Sequence, residues 1–159
     1  MIRFETVIRF ARIDDAALAE KAPAHWREKA AAKRFERDRN QELVVGGLLV
    51  SILEEVAPAA LDGGDLEVRL TAAGKPLLAA MPEVCFSLSH SDEVVMAAVS
   101  LRPVGCDVEK VEPLSSELAA QIGSIEAWTF REALYKCGDP AARVRAVPAP
   151  RGYAAAVAD

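Results

Sequence analysis

The stretch PVGCDVEKVEP, Pro103 to Pro113, poses the question on which the fold and the chemistry of this chain turn. Val104, Cys106 and Val108 alternate with Asp107 and Glu109. Successive side chains of a strand point to opposite faces, so the apolar groups share one face and the two carboxylates share the other. Like charges so placed repel, and more strongly where water is excluded. The carboxylate face is therefore solvated, as on an ordinary surface strand, or neutralised by something positive. A hard divalent cation is one such group, since magnesium usually takes one or two carboxylates together with substrate phosphates.

Strands and helices follow outward from this point. Immediately upstream, EVCFSLSHS reads as a strand running into a polar loop and VVMAAVSL as a strand buried on both sides. LEVRL alternates Leu66, Val68 and Leu70, LDGGD is a turn, and TAAGKP is a loop ending in Pro76. Towards the start, Ile2, Phe4, Ile8 and Phe10 alternate with polar residues over Ile2 to Ile13, the pattern of a half-buried strand. DDAALAEKA predicts a short helix with Asp14 or Asp15 as N-cap, and Pro23 opens a helical region extending to Val56. The later part of that region, LVVGGLLVSILEEV, is nearly all apolar and reads as the central core helix. Its Gly46 and Gly47 mark a close packing contact or a break. Downstream, LSSELAAQIG and SIEAWTFREALYKCG read as helices, the second with Ser124 as N-cap and Gly138 as its stop, and GYAAAVAD reads as a last strand. A strand, then helices, then several strands close together suggest an α+β fold.

Composition sets the outer bounds. A chain of 159 residues with 52% hydrophobic residues is long and apolar enough for one domain with a real core. A net charge of -5 argues against bulk nucleic-acid binding. The longest apolar run, Leu43 to Leu53, is too short to span a bilayer, and MIRFETVIRF is charged and alternating, unlike a signal peptide. Cys85, Cys106 and Cys137 are widely spaced with no CxxC pair, as expected of reduced cysteines in a cytoplasmic protein.

Four short motifs carry chemistry, and each has a plainer reading. In GKP, Gly74 to Pro76, a lysine in a rigid loop can hold a phosphate as a point charge, or the loop is an ordinary surface turn. In FSLSHS, Phe86 to Ser91, His90 with Ser89 and Ser91 can bind a phosphoryl oxygen. A strand-end histidine bonded to backbone is at least as common. The third motif is the Asp107–Glu109 pair. In WTFREALYK, Trp128 to Lys136, Glu132 and Lys136 are four apart and share a helix face; a surface ion pair there contributes only ~0.2–0.5 kcal/mol. Trp128 lies along the same face, which suggests a partly enclosed site.

The order GKP, SHS, G-x-D-x-E, W-x-x-[KR]-E-A-x-x-K is far more specific than its parts. It resembles the 4′-phosphopantetheinyl transferases, of the surfactin-synthetase-activating type, over roughly Arg27 to Lys136, and KRFERDRN is similar to the arginine-rich helix start of that family. The resemblance implies an α+β pseudo-dimer of two halves, at residues 1–103 and 104–159, the second trimmed between Glu109 and Trp128 and after Lys136. It implies magnesium-dependent transfer of the phosphopantetheine arm of coenzyme A to a serine of an acyl or peptidyl carrier protein, with release of 3′,5′-adenosine diphosphate. Asp107, Glu109 and Glu132 match the magnesium ligands, and Glu132 also matches the base for the carrier serine. Lys136 matches a lysine that contacts phosphate, and Lys75 and Pro76 match the loop around the nucleotide's phosphate and adenine. Ser89 and His90 match the loop that holds the 3′-phosphate, so that His90, Glu132 and Lys136 are the catalytic candidates. The implied partners are coenzyme A and a carrier protein, with no nucleic acid and no membrane. Two departures stand out: Arg131 replaces the usual lysine before the helix glutamate, and Glu42 falls near an expected basic residue. The rival readings are a relative that binds coenzyme A or a carrier protein without transfer, and a different magnesium–phosphate enzyme using the same carboxylates.

Overall fold

The structure is a computed structural model that describes residues 1–61, 63 and 65–159. The turn expected at LDGGD includes positions 62 and 64, which lie outside the described residues. The chain begins with strand β1 (Val7–Arg12), shorter than the alternation from Ile2 suggests, and helix α1 (Ala16–Glu20). Asp15 caps α1 by accepting the Leu18 N–H at 3.0 Å.

The helical region after Pro23 is two helices, not one: α2 (Ala24–Ala31) and α3 (Glu36–Val56). Phe35 is extended (φ -98, ψ 143), and the Arg39 guanidinium bonds the carbonyls of Lys33 and Arg34 that a continuous helix would have used. Within α3 the two glycines are contacts and not a break. A Cβ on Gly46 would lie 2.7 Å from the Trp26 ring, and one on Gly47 would lie 1.7 Å from the Leu18 carbonyl oxygen. Bare helix backbone lets α2 and α1 pack directly onto α3.

The remaining elements are a short 3-10 turn (Pro58–Ala60), β2 (Val68–Leu70), β3 (Pro76–Leu78), β4 (Cys85–Ser91), β5 (Val94–Ser100), β6 (Gly105–Lys110), α4 (Ser116–Ile122), α5 (Ile125–Cys137), β7 (Val144–Ala146) and β8 (Tyr153–Ala158). Among the described residues the strands form a three-stranded sheet β1-β5-β4, a hairpin β2-β3 and a second three-stranded sheet β6-β8-β7, all with antiparallel pairing. A mixed α and β architecture was expected; β3 and β7 were not.

Strand β5 explains the layering. Val95, Ala97 and Val99 pack with Leu49, Ile52 and Leu53 of α3, while Val94, Met96 and Ala98 pack with Val104, Cys106, Val108 and Val157 of the second sheet. Both faces are therefore buried, as the unbroken apolar run required. On the far side of the second sheet, Ala156 and Ala158 pack against Ala133 and Cys137 of α5. The order of layers is α3, first sheet, second sheet, α5. Among the described residues no helix is long and apolar enough to cross a membrane, and all three cysteines are free thiols.

The two sheets also meet along β4 and β6. Ser87, Ser89 and Ser91, alternate residues of β4, accept the backbone N–H groups of Cys106, Val108 and Lys110 at 3.0, 3.1 and 3.0 Å. Side-chain hydroxyls thus stand in for the backbone ladder that would otherwise satisfy this edge of β6. The segment read as a strand entering a polar loop is strand throughout, closed by a tight turn at Asp92 (φ 51).

Candidate active site

Three elements build the site: β6 with its carboxylates, β4 beside it, and α5 across it. Ser124 caps α5 by accepting the Ala127 N–H at 3.0 Å, and Gly138 ends it in the left-handed region at φ 73. The approach of α5 to β6 depends on Gly105. A Cβ there would lie 2.0 Å from the Ala133 carbonyl oxygen and 2.4 Å from the Cys137 nitrogen. Backbone lies on backbone, so the helix face carrying Trp128, Glu132 and Lys136 comes down over Asp107 and Glu109.

The positive group required by the carboxylate pair is Lys136. Its Nζ donates to Asp107 Oδ1 at 3.2 Å, to the Cys106 carbonyl at 3.1 Å and to the Leu88 carbonyl at 3.4 Å, which occupies all three ammonium donors. Asp107 is buried, and its Oδ1 also accepts from the Ser89 hydroxyl at 3.2 Å. Among the described residues, Asp107 Oδ2 is buried with no hydrogen-bond donor. Burial raises the Asp107 pKa above the ordinary carboxylate range, against the opposing pull of Lys136. Glu109 is half-buried and is pushed up to about 7, first by burial and then by the Asp107 charge, with the Trp128 ring N–H acting in the opposite sense.

Glu132 stands between Trp128 and Lys136 on the same helix face, half-buried. The Glu132–Lys136 ion pair that their spacing allows is not formed among the described residues, because Lys136 is turned to Asp107. Nor are three histidine, cysteine, aspartate or glutamate side chains gathered closely enough to hold a metal ion among those residues. The expected convergence of Asp107, Glu109 and Glu132 on one point is absent from this arrangement. The physical reason is charge: a third carboxylate beside a buried pair is costly until a cation is there to offset it. The pair itself fits a cation, because two adjacent carboxyls and an orphaned buried oxygen are an unmet demand for positive charge.

A cleft of about 560 Å³ opens beside this cluster, with Lys136 in the wall between them. Lys75 and Pro76 line it from the β2–β3 turn, as the GKP motif predicts, and Lys29 adds a third ammonium. The Lys75 Nζ donates to the Cys137 carbonyl at 2.9 Å, at the negative end of α5, and keeps two donors for a ligand. On β4 the wall is made by Phe86, Ser87 and Leu88. Ser89 is buried against β6, and His90 keeps an exposed surface at the strand end. Crowding of its ring lowers the His90 pKa; nearby Glu42 opposes that shift, and Lys136, Lys29 and Lys33 add to it.

His25, Trp26, Lys29 and Tyr135 also line the cleft and were not singled out in the sequence. Lys29 is one lysine of a charged helix, and nothing local marks it. The two departures find partners. Glu42 is buried, with its carboxylate 3.6 Å from Lys29 and 3.8 Å from Lys33, so its charge is screened. The Arg131 guanidinium is taken up by the Gln121 and Ile122 carbonyls at the end of α4.

Glu109 yields a pH prediction for the protein without cation. Its folded pKa of about 7 lies above its ordinary 4.5, so between these values the folded state binds more protons than the unfolded state. Stability is therefore lost as pH rises through this window and stays lower above it. The full shift corresponds to ~3 kcal/mol, and about half of that is expected for a half-exposed group. Glu109→Gln removes the loss. Thermal melts should show the variant a few degrees above wild type at pH 8 and level with it at pH 4; a variant that melts lower at pH 8 would contradict the assignment.

No family model matches the chain. Among curated proteins, 4′-phosphopantetheinyl transferase Sfp of Bacillus subtilis is 31% identical over 98 residues, 62% of this chain and 43% of that protein. The 4′-phosphopantetheinyl transferase psf-1 of Bacillus pumilus is 30% identical over 105 residues, 65% of this chain and 44% of its own length. The gsp protein of Aneurinibacillus migulanus, also a 4′-phosphopantetheinyl transferase, is 30% identical over 80 residues, 50% of this chain and 30% of its own length. The chain thus spans less than half the length of the curated relatives it matches. The matches bear out what the motif order implied: this chain is related by sequence to the Sfp-type, surfactin-activating 4′-phosphopantetheinyl transferases.

Proposed function

We propose that this protein transfers the 4′-phosphopantetheine arm of coenzyme A to a serine of an acyl or peptidyl carrier protein, with magnesium as cofactor. The observation that carries this reading is the cleft walled by Lys29, Lys75 and Lys136 and opening beside the Asp107–Glu109 pair. Phosphate-binding charge and cation-binding charge lie next to each other, as a pyrophosphate substrate requires. The relatives named as 4′-phosphopantetheinyl transferases supply the substrate class.

In this reading the carrier serine oxygen attacks the phosphorus that bears the pantetheine arm. The bond from that phosphorus to the bridging oxygen breaks, and 3′,5′-adenosine diphosphate leaves. Lys75, Lys29 and Pro76 hold the nucleotide end, and His90, exposed at the end of β4, adds a ring N–H for a phosphate oxygen. Asp107 and Glu109 would hold the magnesium, and Glu132 on the facing helix would be the third ligand. The ion would supply charge stabilisation at the leaving phosphate. Glu132, exposed enough to meet an incoming serine, takes its proton. Lys136 gives up its longest bond, to Leu88, to reach a phosphate oxygen. The two layers of sheet and helix, residues 1–103 and 104–159, are then the two halves of a pseudo-dimer with the second trimmed, acting in the cytoplasm.

Incubation of apo carrier proteins with coenzyme A, magnesium and this protein, followed by mass spectrometry, tests the proposal. The expected result is a mass gain of one phosphopantetheine arm on the carrier serine. Coenzyme A binding with no mass gain on any carrier would replace it with the rival reading, a binding protein without transfer. One observation favours that rival: Glu132 stands apart from the carboxylate pair.

A further inference from the structure

Strands β4 and β6 belong to different sheets, and three serine hydroxyls join them. One of the three differs from the others. Ser89 accepts the Val108 N–H at 3.1 Å and also donates to Asp107 Oδ1 at 3.2 Å. Ser91 serves the backbone alone, through Lys110 N. We infer that Ser89 is a positioning residue, whose hydroxyl pins one oxygen of Asp107 and leaves the other bare for a divalent cation. This inference rests on the cation-binding reading of the Asp107–Glu109 pair.

A serine hydroxyl has one proton to give. Beside an ionised carboxylate, which only accepts, that proton goes to Asp107. Ser89 is 6% exposed, so its donor is spent inside the protein and is not offered to a ligand phosphate. Asp107 Oδ1 is then doubly bonded, by Ser89 from β4 and by Lys136 from α5. These two bonds come from opposite elements and fix the rotation of the carboxylate. The consequence is the one buried side-chain oxygen that no donor among the described residues meets while Glu109 is ionised, Asp107 Oδ2; the adjacent Glu109 carboxyl can hydrogen-bond Asp107 only while it holds a proton. A buried acceptor is costly to leave unmet, and a carboxylate free to turn would share its donors between both oxygens. Ser89 and Lys136 together prevent that sharing. The bare oxygen is therefore held out in advance of the cation, and part of the ordering cost of binding is met on folding.

The test is calorimetric titration of Mg2+ into the full chain, with wild type, Ser89→Ala and Ser91→Ala compared, and thermal melts alongside. Both variants remove one acceptor from a backbone N–H of β6, so both should melt below wild type. Only Ser89→Ala should weaken Mg2+ binding, by about ten-fold or more, the range for groups that orient metal ligands; Ser91→Ala should stay within about two-fold. Ser89→Cys keeps the size with a poorer donor, and is expected to fold and to weaken Mg2+ binding if the alanine variant does not fold. Equal Mg2+ affinity in wild type and the Ser89 variants overturns the inference alone. So does a Ser89→Ala loss of coenzyme A affinity, measured without divalent cation, as large as that of Lys75→Ala, since the hydroxyl would then be a ligand contact. A wild type that binds no Mg2+ overturns the cation reading and this inference with it.

Discussion

Gly105→Ala is expected to lower stability by about 3 kcal/mol or more, the upper end of overpacking effects, and to lower the melting temperature by about 10 °C. The added methyl carbon would sit 2.0 Å from the Ala133 carbonyl oxygen and 2.4 Å from the Cys137 nitrogen. Both are backbone atoms of a helix, so no side chain can rotate away, and relief requires α5 to move off β6. That movement would draw Lys136 from Asp107 and Trp128 from Glu109. Gly47→Ala on α3 serves as the comparison, because its clash is with the Leu18 carbonyl, in a different layer. Both variants should melt early. Only Gly105→Ala should also lose Mg2+ binding at a temperature where it remains folded. A Gly105→Ala protein with wild-type stability would mean that α5 does not sit where this structure has it.

The second large effect separates chemistry from folding on a single helix face. Glu132→Gln is expected to reduce arm transfer by ~10²–10⁴-fold, the contribution of a general base, while the melting temperature without cation stays within about 2 °C. The stability expectation follows from the structure, where Glu132 is half-buried and makes no ion pair among the described residues. Lys136→Met should behave differently. It strips the buried Asp107 of its ammonium partner, and leaving a buried charge uncompensated costs about 2–3 kcal/mol after allowance for the part-exposed lysine. Both activity and melting temperature should therefore fall in Lys136→Met, and activity alone in Glu132→Gln. Transfer at the wild-type rate by Glu132→Gln would remove Glu132 as base and as metal ligand; a large melting change in the same variant would make it a structural residue.

Much of the architecture is legible in the sequence. The caps at Asp15, Ser124 and Gly138 form as local rules require, because they depend on residues three or four positions away. β5 was readable as doubly buried from its unbroken apolar run. The misses have physical causes. β3 and β7 are three residues each, too short to show a period, and β3 opens on Pro76, which a hairpin edge tolerates but a pattern does not reveal. The break between α2 and α3 follows from Arg39 reaching back to two carbonyls, a contact invisible in a run of charged residues. The serines of FSLSHS are polar at a strand end, which locally points to phosphate binding. Their use as rungs depends on β6 lying alongside, 19 residues away in the chain.

What the sequence determined by itself was the local allocation of faces: apolar residues of β6 on one side, Asp107 and Glu109 on the other, and Trp128, Glu132 and Lys136 along one side of a helix. Those assignments follow from strand and helix periods, which a linear chain carries in full. Only the tertiary structure decided which charges meet. Lys136 was as free to pair with Glu132, four residues away, as with Asp107, 29 residues away, and it pairs with Asp107. The reason is burial. Gly105 lets α5 settle on β6, Asp107 loses its water there, and a buried carboxylate draws the nearest ammonium more strongly than a half-exposed one can.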